Sequence, residues 1–388
     1  MIEKKPITMH VLLLQFYYPL PPDYPEMAHI MRGHGHVVWI GTPGQDQSIQ
    51  WHDGKEIIAV QNSHYEKAQG TIGRRLAKYR LFRDVRRFIR ETEPDIVQID
   101  AHNLFRLMPL GMPGKTKFIH DMRQINEVYG TGIIGQALAG LRNKSRLIDS
   151  RFSFDRTTFL HEAGAQKVLG NEWRRWATVV PLATSEPFLN AERSQDYGGM
   201  SDRPVRFIYI GSLGRVRRLE RIIEAADLMC RQTDQFCITL LGSDRSDGFY
   251  PDLIRRLKLD DLVTIHPSVP HNQVPQAILA HDVALAYVPE VPLDWQYHPT
   301  MKIIEYRALG IPIIASDFLP NRELVEHGVT GLLAQNSAES LAEAMLRYVN
   351  DRALLQDNYE DARNRRHGLT WPEVSQQYIN LYQQLLDN

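Results

Sequence analysis

Two doubly wound α/β domains are the fold this sequence predicts, and three observations predict it. Short apolar runs alternate with amphipathic helical patterns along the whole chain, as repeated βαβ units on parallel sheets do. At 388 residues the chain exceeds what a single hydrophobic core usually organises, which points to two cores. Between the two series of runs, residues 182–205 (LATSEPFLNAERSQDYGGMSDRPV) are polar and rich in Gly, Ser, Asp and Pro, as a connecting segment is. The expected domains are 1–190 and 191–370, facing across a cleft. Residues 371–388 follow as a helix packing back on the first (Val374, Tyr378, Leu381, Tyr382, Leu385).

The candidate strands of the front half are Val11–Phe16, Val37–Ile40, Ile57–Val60, Ile96–Ile99, Phe118–Ile119 and Val179–Val180. Those of the back half are Phe207–Ile210, Ile238–Leu241, Val263–Ile265, Val283–Ala286 and Ile313–Ala315. Ligands of such sheets sit beyond the carboxyl ends of the strands. There is no repeat at a solenoid period and no low-complexity tail.

Composition narrows the class. Hydrophobic residues make up 43% and charged residues 23%, as in soluble globular proteins. No apolar run approaches the length of a membrane span. The N-terminal MIEKKPITMHVLLLQFYYP lacks a small-residue cleavage site and reads as a first buried strand. Cys230 and Cys237 alone give neither a disulfide framework nor a zinc set, so a reducing, cytoplasmic setting is expected. The net charge of −1 hides a basic front half, +6 over residues 1–190, and an acidic back half of −7. The halves therefore meet different partners.

One stretch, YHPTMKIIEYRALGIPIIAS from Tyr297 to Ser316, concentrates the chemistry. Its Pro suits a first helical position, and Gly310-Ile311-Pro312 stops the helix before an apolar strand. Met301, Ile304, Glu305 and Ala308 fall on one stripe. Glu305 is thus a carboxylate among apolar side chains, costly unless something donates hydrogen bonds to it. A ribose diol is such a donor; a buried Arg or Lys is the structural alternative.

A second stretch, FIYIGSLGRVRR from Phe207 to Arg218, is a strand running into a Gly-containing loop and then a helix. Free backbone N–H groups and the helix dipole at such a junction attract anions. Arg215, Arg217 and Arg218 add charge, and arginine binds phosphate bidentately. The alternative is a solvated basic loop. Neither a Walker loop nor Gly-x-Gly-x-x-Gly occurs.

GSLGRVRRLERIIEAA, followed by PTMKIIEYRALGIPIIAS, resembles glycosyltransferase family 4, retaining enzymes of the GT-B fold. LLQFYYPLPPDYP, GHGHVVWIG and PDIVQID are similar to that family's front strands. TVVPLATSEPF resembles its linker entry, and LVTIHPSVPHNQVPQAILAHDVALAYVP the segment that closes over the base. The resemblance implies transfer of a sugar from a nucleotide-diphosphate sugar, with UDP or GDP, to a hydroxyl acceptor, lipid-linked among the candidates. The setting it implies is cell-surface polysaccharide or glycolipid synthesis, with no metal or other cofactor.

By that resemblance Glu305 holds the ribose and Arg217 neutralises the diphosphate. Ser212 replaces an Arg of the same pair, for which Arg215 compensates. Thr300 and Met301 offer N–H groups to the β-phosphate and sugar, with Lys302 either adding charge or solvated. Gly211 lies in the phosphate loop, and Gly242 and Val269 border the base. His120, read as the end of strand KFIH, matches a front-domain His near the reacting sugar; taken alone it is a structural donor. The catalytic set is thus His120, Arg217 and Glu305.

Two positions depart from the family pattern. Tyr297 stands where many members carry a second Glu, and Asp23-Tyr24 replace a front-loop Gly pair. They motivate a non-catalytic partner subunit as a rival to transfer; a sugar-nucleotide epimerase on the same fold is the other.

Residues 74–90 (RRLAKYRLFRDVRRFIR) hold eight basic residues and one acid, with Leu76, Tyr79, Phe82, Val85, Phe88 and Ile89 as an apolar side. Such a helix either lies on an anionic membrane surface, peripheral to the inner face, or covers the front sheet. The acidic back half and neutral pI argue against nucleic acid. His34 and His36 have no carboxylate or Cys cluster beside them and are assigned no metal.

Overall fold

The computed structural model describes residues 8–14, 23–42, 58–61, 70–100, 103–112, 114–123, 125, 141, 144, 145, 147–193, 203–290 and 295–387. They form two units: residues up to 123 with 141–181 and 371–387, and residues 182–370 with 125. The short helix at 186–190 thus groups with the second unit, although the composition placed it in the first.

In the first unit the chain runs β1 (His10–Leu14), α1 (Asp23–Gly33), β2 (Val37–Thr42), β3 (Ile58–Gln61), α2 (Gly70–Thr92), β4 (Ile96–Ile99), β5 (Lys117–Met122), β6 (Arg156–Phe159), α3 (Glu162–Leu169) and β7 (Ala177–Val179). All seven strands are parallel, in the order β3-β2-β1-β4-β5-β6-β7. A parallel sheet is covered on both faces, and β1 (HVLLL) and β4 (IVQI) accordingly alternate little.

α2 shows how one basic helix satisfies two demands. Ala77, Leu81, Val85 and Ile89, four residues apart, are buried, the last three against Leu12, Leu14, Val97, Ile99 and Phe118. Arg86 donates to the carbonyls of Leu107 and Met108, both at 3.3 Å, and Leu110 at 2.7 Å. Yet Ile72, Leu76 and Tyr79 remain 75%, 55% and 56% exposed.

The second unit runs α4 (Glu186–Asn190), β8 (Val205–Ile210), β9 (Leu213–Gly214), α5 (Glu220–Cys230), β10 (Phe236–Leu241), β11 (Asp244–Arg245), α6 (Phe249–Arg256), β12 (Val263–His266), α7 (Val274–Leu279), β13 (Val283–Ala286), α8 (Met301–Leu309), β14 (Ile313–Ser316), α9 (Leu319–Arg322), β15 (Gly331–Ala334), α10 (Ala338–Asn350) and α11 (Arg352–Asn364). Its parallel sheet has the order β12-β10-β8-β13-β14-β15, and β9 and β11 form a separate two-stranded pair. The order reverses between β8 and β13, which makes the crevice beyond their carboxyl ends the place for a ligand.

At the other end of this sheet, Asp282 is wholly buried and bound by three arginines. It accepts from Arg193 at 2.8 Å, Arg203 at 2.7 Å, and both the side chain (3.1 Å) and backbone N–H (2.9 Å) of Arg206. The clamp ties the chain at 193 and 203 to the starts of β8 and β13.

The last helix, α12 (Trp371–Asp387), packs on α1 in the first unit. Its Tyr382 hydroxyl donates to Gln98 Oε1 at 2.5 Å, and that of Tyr378 lies 3.4 Å from Asp121 Oδ1. Asp121 also accepts from Tyr24 (2.8 Å), Gln98 (2.9 Å), Thr158 (2.7 Å) and Arg123 (2.8 Å), and Arg123 pairs with Asp23. Asp23 and Tyr24, the pair standing where a Gly pair was expected, are therefore committed to this buried network. Burial, reinforced by Asp121, pushes the neighbouring Asp100 carboxyl up to about 8.

Candidate nucleotide site

β8 ends at Ile210, and the loop that Gly211 opens is pinned from several sides. Gly211 N–H donates to Leu241 O (3.0 Å) and Leu213 N–H to Ser243 O (3.1 Å). A Cβ on Gly242 would stand 1.8 Å from Gly211 O, so only glycine lets the ends of β8 and β10 approach this closely. Tyr250 holds the far side of the loop: its hydroxyl accepts from Leu219 N–H and donates to Gly214 O, both at 3.1 Å. Between these anchors lies the 3₁₀ turn Arg215–Arg217, closed by Arg218 in the left-handed conformation (φ 50°).

The basic side chains of this corner rest on aromatic rings. Arg215 lies 3.2 Å from the Phe249 ring centre, Arg217 lies 4.0 Å from that of Trp295, and the Lys302 amine nitrogen lies 3.9 Å from that of Tyr209. None of the three has a carboxylate bonded to it among the described residues. Lys302 is only 8% exposed, which removes the solvated alternative. Burial, with the charge of Arg217 beside it, pulls its pKa well below the ordinary lysine value, and Glu305 opposes that shift. The Tyr209 hydroxyl is buried without a hydrogen-bond partner among the described residues, and burial raises its pKa to about 12.

α8 begins two residues later than its sequence suggested. Thr300 is the N-cap, so Pro299 precedes the cap rather than opening the helix, and the first helical residue is Met301. The Thr300 hydroxyl has no hydrogen-bond partner among the described residues, and no acidic residue lies in the first turn, so the N-terminal N–H groups keep their field for a ligand. Gly310 ends the helix at φ 66° and lies so close to Arg363 and Ala362 that a Cβ there would clash. Tyr306 locks α8 to β8, its hydroxyl accepting from Ile210 N–H at 3.1 Å.

Glu305 has 14% of its side chain exposed, and the His271 ring lies beside it, with Nε2 3.6 Å from Oε1. No Arg or Lys forms an ion pair with it among the described residues, so the structural alternative of an internal guanidinium is not what the chain uses. His271 is 54% exposed at its side chain and lies 5.3 Å from the Phe188 ring. Tyr297 is half-buried in the 3₁₀ turn Trp295–Tyr297. Ser212 is exposed and Val269 half-buried, on the loops after β8 and β12.

The second unit thus gathers Gly211, Arg217, Lys302 and Glu305 at one strand end, with Thr300 and Met301 opening the helix that carries two of them. His120 belongs to the first unit. There β5 continues two residues past it, to Met122, so it lies within the strand rather than at its end. Its ring is buried and stacked on Phe154 at 5.0 Å and 26°. Phe249, Trp295, Tyr209 and His271 are the neighbours that sequence reasoning missed; nothing in their local pattern marks them. The described residues contain no cluster of His, Cys, Asp or Glu suited to a metal. His36 instead uses Nδ1 to accept from Met9 N–H at 3.3 Å.

Residues 192–365 match the family described as glycosyl transferases group 1. The chain is similar to the glycosyltransferase-named YtcC of Bacillus subtilis (strain 168), 25% identical over 199 residues, 48% of this chain and 47% of that protein. It is also similar to the amylovoran biosynthesis glycosyltransferase AmsK of Erwinia amylovora, 28% identical over 156 residues, 37% of this chain and 36% of that one. The matches thus span about half or less of the length of these relatives. Among solved structures, Anabaena HepE in complex with UDP-glucose superposes with a TM-score of 0.73 at 14% identity, over 97% of this chain and 100% of that one. The fold is GT-B, and the family match lies within the second unit.

Proposed function

We propose that this protein is a retaining, family 4-type glycosyltransferase that moves a sugar from a nucleotide-diphosphate sugar to a hydroxyl acceptor. The observation that carries the proposal is the convergence of Arg217, Lys302 and an uncapped helix start at the mouth of β8, with Glu305 one turn along the same helix. Cations with no carboxylate bonded to them suit a diphosphate, and the carboxylate suits a ribose diol.

In this reading the bond from the anomeric carbon to the diphosphate breaks while that carbon bonds to the acceptor oxygen on the same face. The departing phosphate oxygen accepts the acceptor's proton. Arginine and N–H dipoles stabilise the charge that develops, so no metal is assigned. Gly211, Ser212, Arg215, Gly242, Val269 and Tyr297 complete the donor site, and His120 keeps the role implied by its resemblance.

Incubating the protein with UDP- and GDP-hexoses, with and without glycolipid acceptors, tests this proposal. Transfer that persists in EDTA is expected; a changed sugar without acceptor would mean an epimerase. The absence of any thermal shift with nucleoside diphosphates would mean a partner subunit, because a true ligand stabilises by mass action.

The acceptor is assigned to the first unit, and a cell-surface polysaccharide or glycolipid is its class. The relative AmsK is named for amylovoran biosynthesis. The exposed Ile72, Leu76 and Tyr79 of α2, among arginines, suit an anionic surface on the cytoplasmic face. No described helix is long and apolar enough to cross a membrane. Flotation with phosphatidylglycerol vesicles at low salt is expected; equal flotation with neutral vesicles, or none, would remove the anionic surface from the account.

A further inference from the structure

We propose that Lys302 is a proton-linked anchor for the donor diphosphate: its amine is neutral in the empty site and takes up a proton from solvent as the diphosphate enters. The inference rests on the donor-site reading above and adds to it the charge state of one group.

The geometry around the amine argues for it. Nζ lies over the Tyr209 ring at 3.9 Å, on a residue 8% exposed, and close to the position a Cβ on Gly211 would take. A ring face stabilises an ammonium only modestly, and a buried ammonium without an anion sheds its proton instead. Arg217, from the turn after β9, is cationic and disfavours a second charge. The hydroxyls of Tyr209 on β8 and Tyr306 on α8 are neutral, that of Tyr306 being engaged by Ile210 N–H. Glu305, one turn on along α8, favours the charge, but it lies near His271 rather than bonded to Lys302. The direction of the Lys302 shift agrees with this balance. A diphosphate reverses it, because a dianionic neighbour favours the ammonium. The empty site thereby avoids holding two adjacent cations, and the full positive charge exists only when there is an anion to meet it.

Titrating UDP and GDP into the full-length protein by calorimetry at pH 8, in HEPES and in Tris, reads the proton directly. Buffers with different ionisation enthalpies should give different apparent heats, corresponding to uptake approaching one proton per nucleotide. Above pH 7.5 the nucleotide's own phosphate is ionised and contributes none. Affinity should also fall by up to about tenfold per pH unit between pH 7.5 and 8.5. Lys302→Arg, which carries its charge throughout, should bind without uptake and with a flat profile, and Lys302→Gln should bind more weakly without uptake.

Measurable binding by the wild-type protein with no proton uptake would overturn the anchor while leaving the donor site standing. Unchanged uptake in Lys302→Gln would overturn it as well. Failure of UDP, GDP and ADP alike to bind would bring down the donor-site reading itself.

Discussion

Replacing Arg217 with alanine should slow sugar transfer by roughly a hundred- to a thousandfold, or about 3–4 kcal/mol of barrier, the range found when one preorganised charge or hydrogen-bond donor is removed from a developing anion. The residue sits in the 3₁₀ turn after β9, over Trp295, with no carboxylate bonded to it among the described residues. Its charge is therefore available to the ligand. Arg217→Lys should recover part of the rate, because an ammonium supplies the charge without the bidentate fork. Steady-state kinetics separates the effects: the loss should appear mainly in kcat, since the leaving diphosphate gains charge only as the bond breaks. Near-full turnover in Arg217→Ala would remove the assignment.

Asp282→Ala should cost the fold about 3 kcal/mol, near the lower end for breaking a buried ion pair. Three guanidinium groups lose their shared carboxylate, but Arg203 and Arg206 keep 33% and 31% of their side chains exposed, so water softens the loss. Burial alone would raise this carboxyl's pKa. Hydrogen bonds from Arg203, Arg206 and Arg193 outweigh burial and hold it well below the usual carboxylate range. An acid with a depressed native pKa contributes stability that is present above its unfolded pKa, about 4, and lost as pH falls toward the native value. Urea denaturation should therefore show a smaller gap between wild type and Asp282→Ala at pH 3 than at pH 7. Equal stabilities at pH 7 would show that the clamp contributes nothing.

The parts of the fold legible in the sequence were those written in continuous apolar runs. The central strands β1, β4, β8, β10, β13 and β14 all lie where such runs predict them. β6 was not legible because Arg156, Thr157 and Thr158 look like loop; Thr157 and Thr158 are buried by bonding to Ser150 and Asp121. β15 was hidden for another reason. It opens with Gly331, where a Cβ would stand 2.1 Å from Ile313 O, so close backbone packing rather than a side chain marks its start.

The site divides in the same way. Glu305, Lys302 and Thr300 share one helix start, and Arg215 and Arg217 share one loop, so local spacing brings them into view. Their aromatic supports come from β8, α6 and the turn before α8, and no local period joins such distant segments. Asp282 and its arginines escaped notice for the same reason: the carboxylate makes sense only once residues 193, 203 and 206 are brought to it.

The most direct test of the account is the affinity of Glu305→Ala for UDP and GDP beside its affinity for inorganic pyrophosphate, measured by calorimetry. Losing charge-assisted hydrogen bonds to a diol should weaken nucleotide binding by roughly ten- to a hundredfold, while pyrophosphate, which has no ribose, binds as it does to the wild type. Nucleotide affinity unchanged in the variant would contradict the claim that this carboxylate holds the ribose.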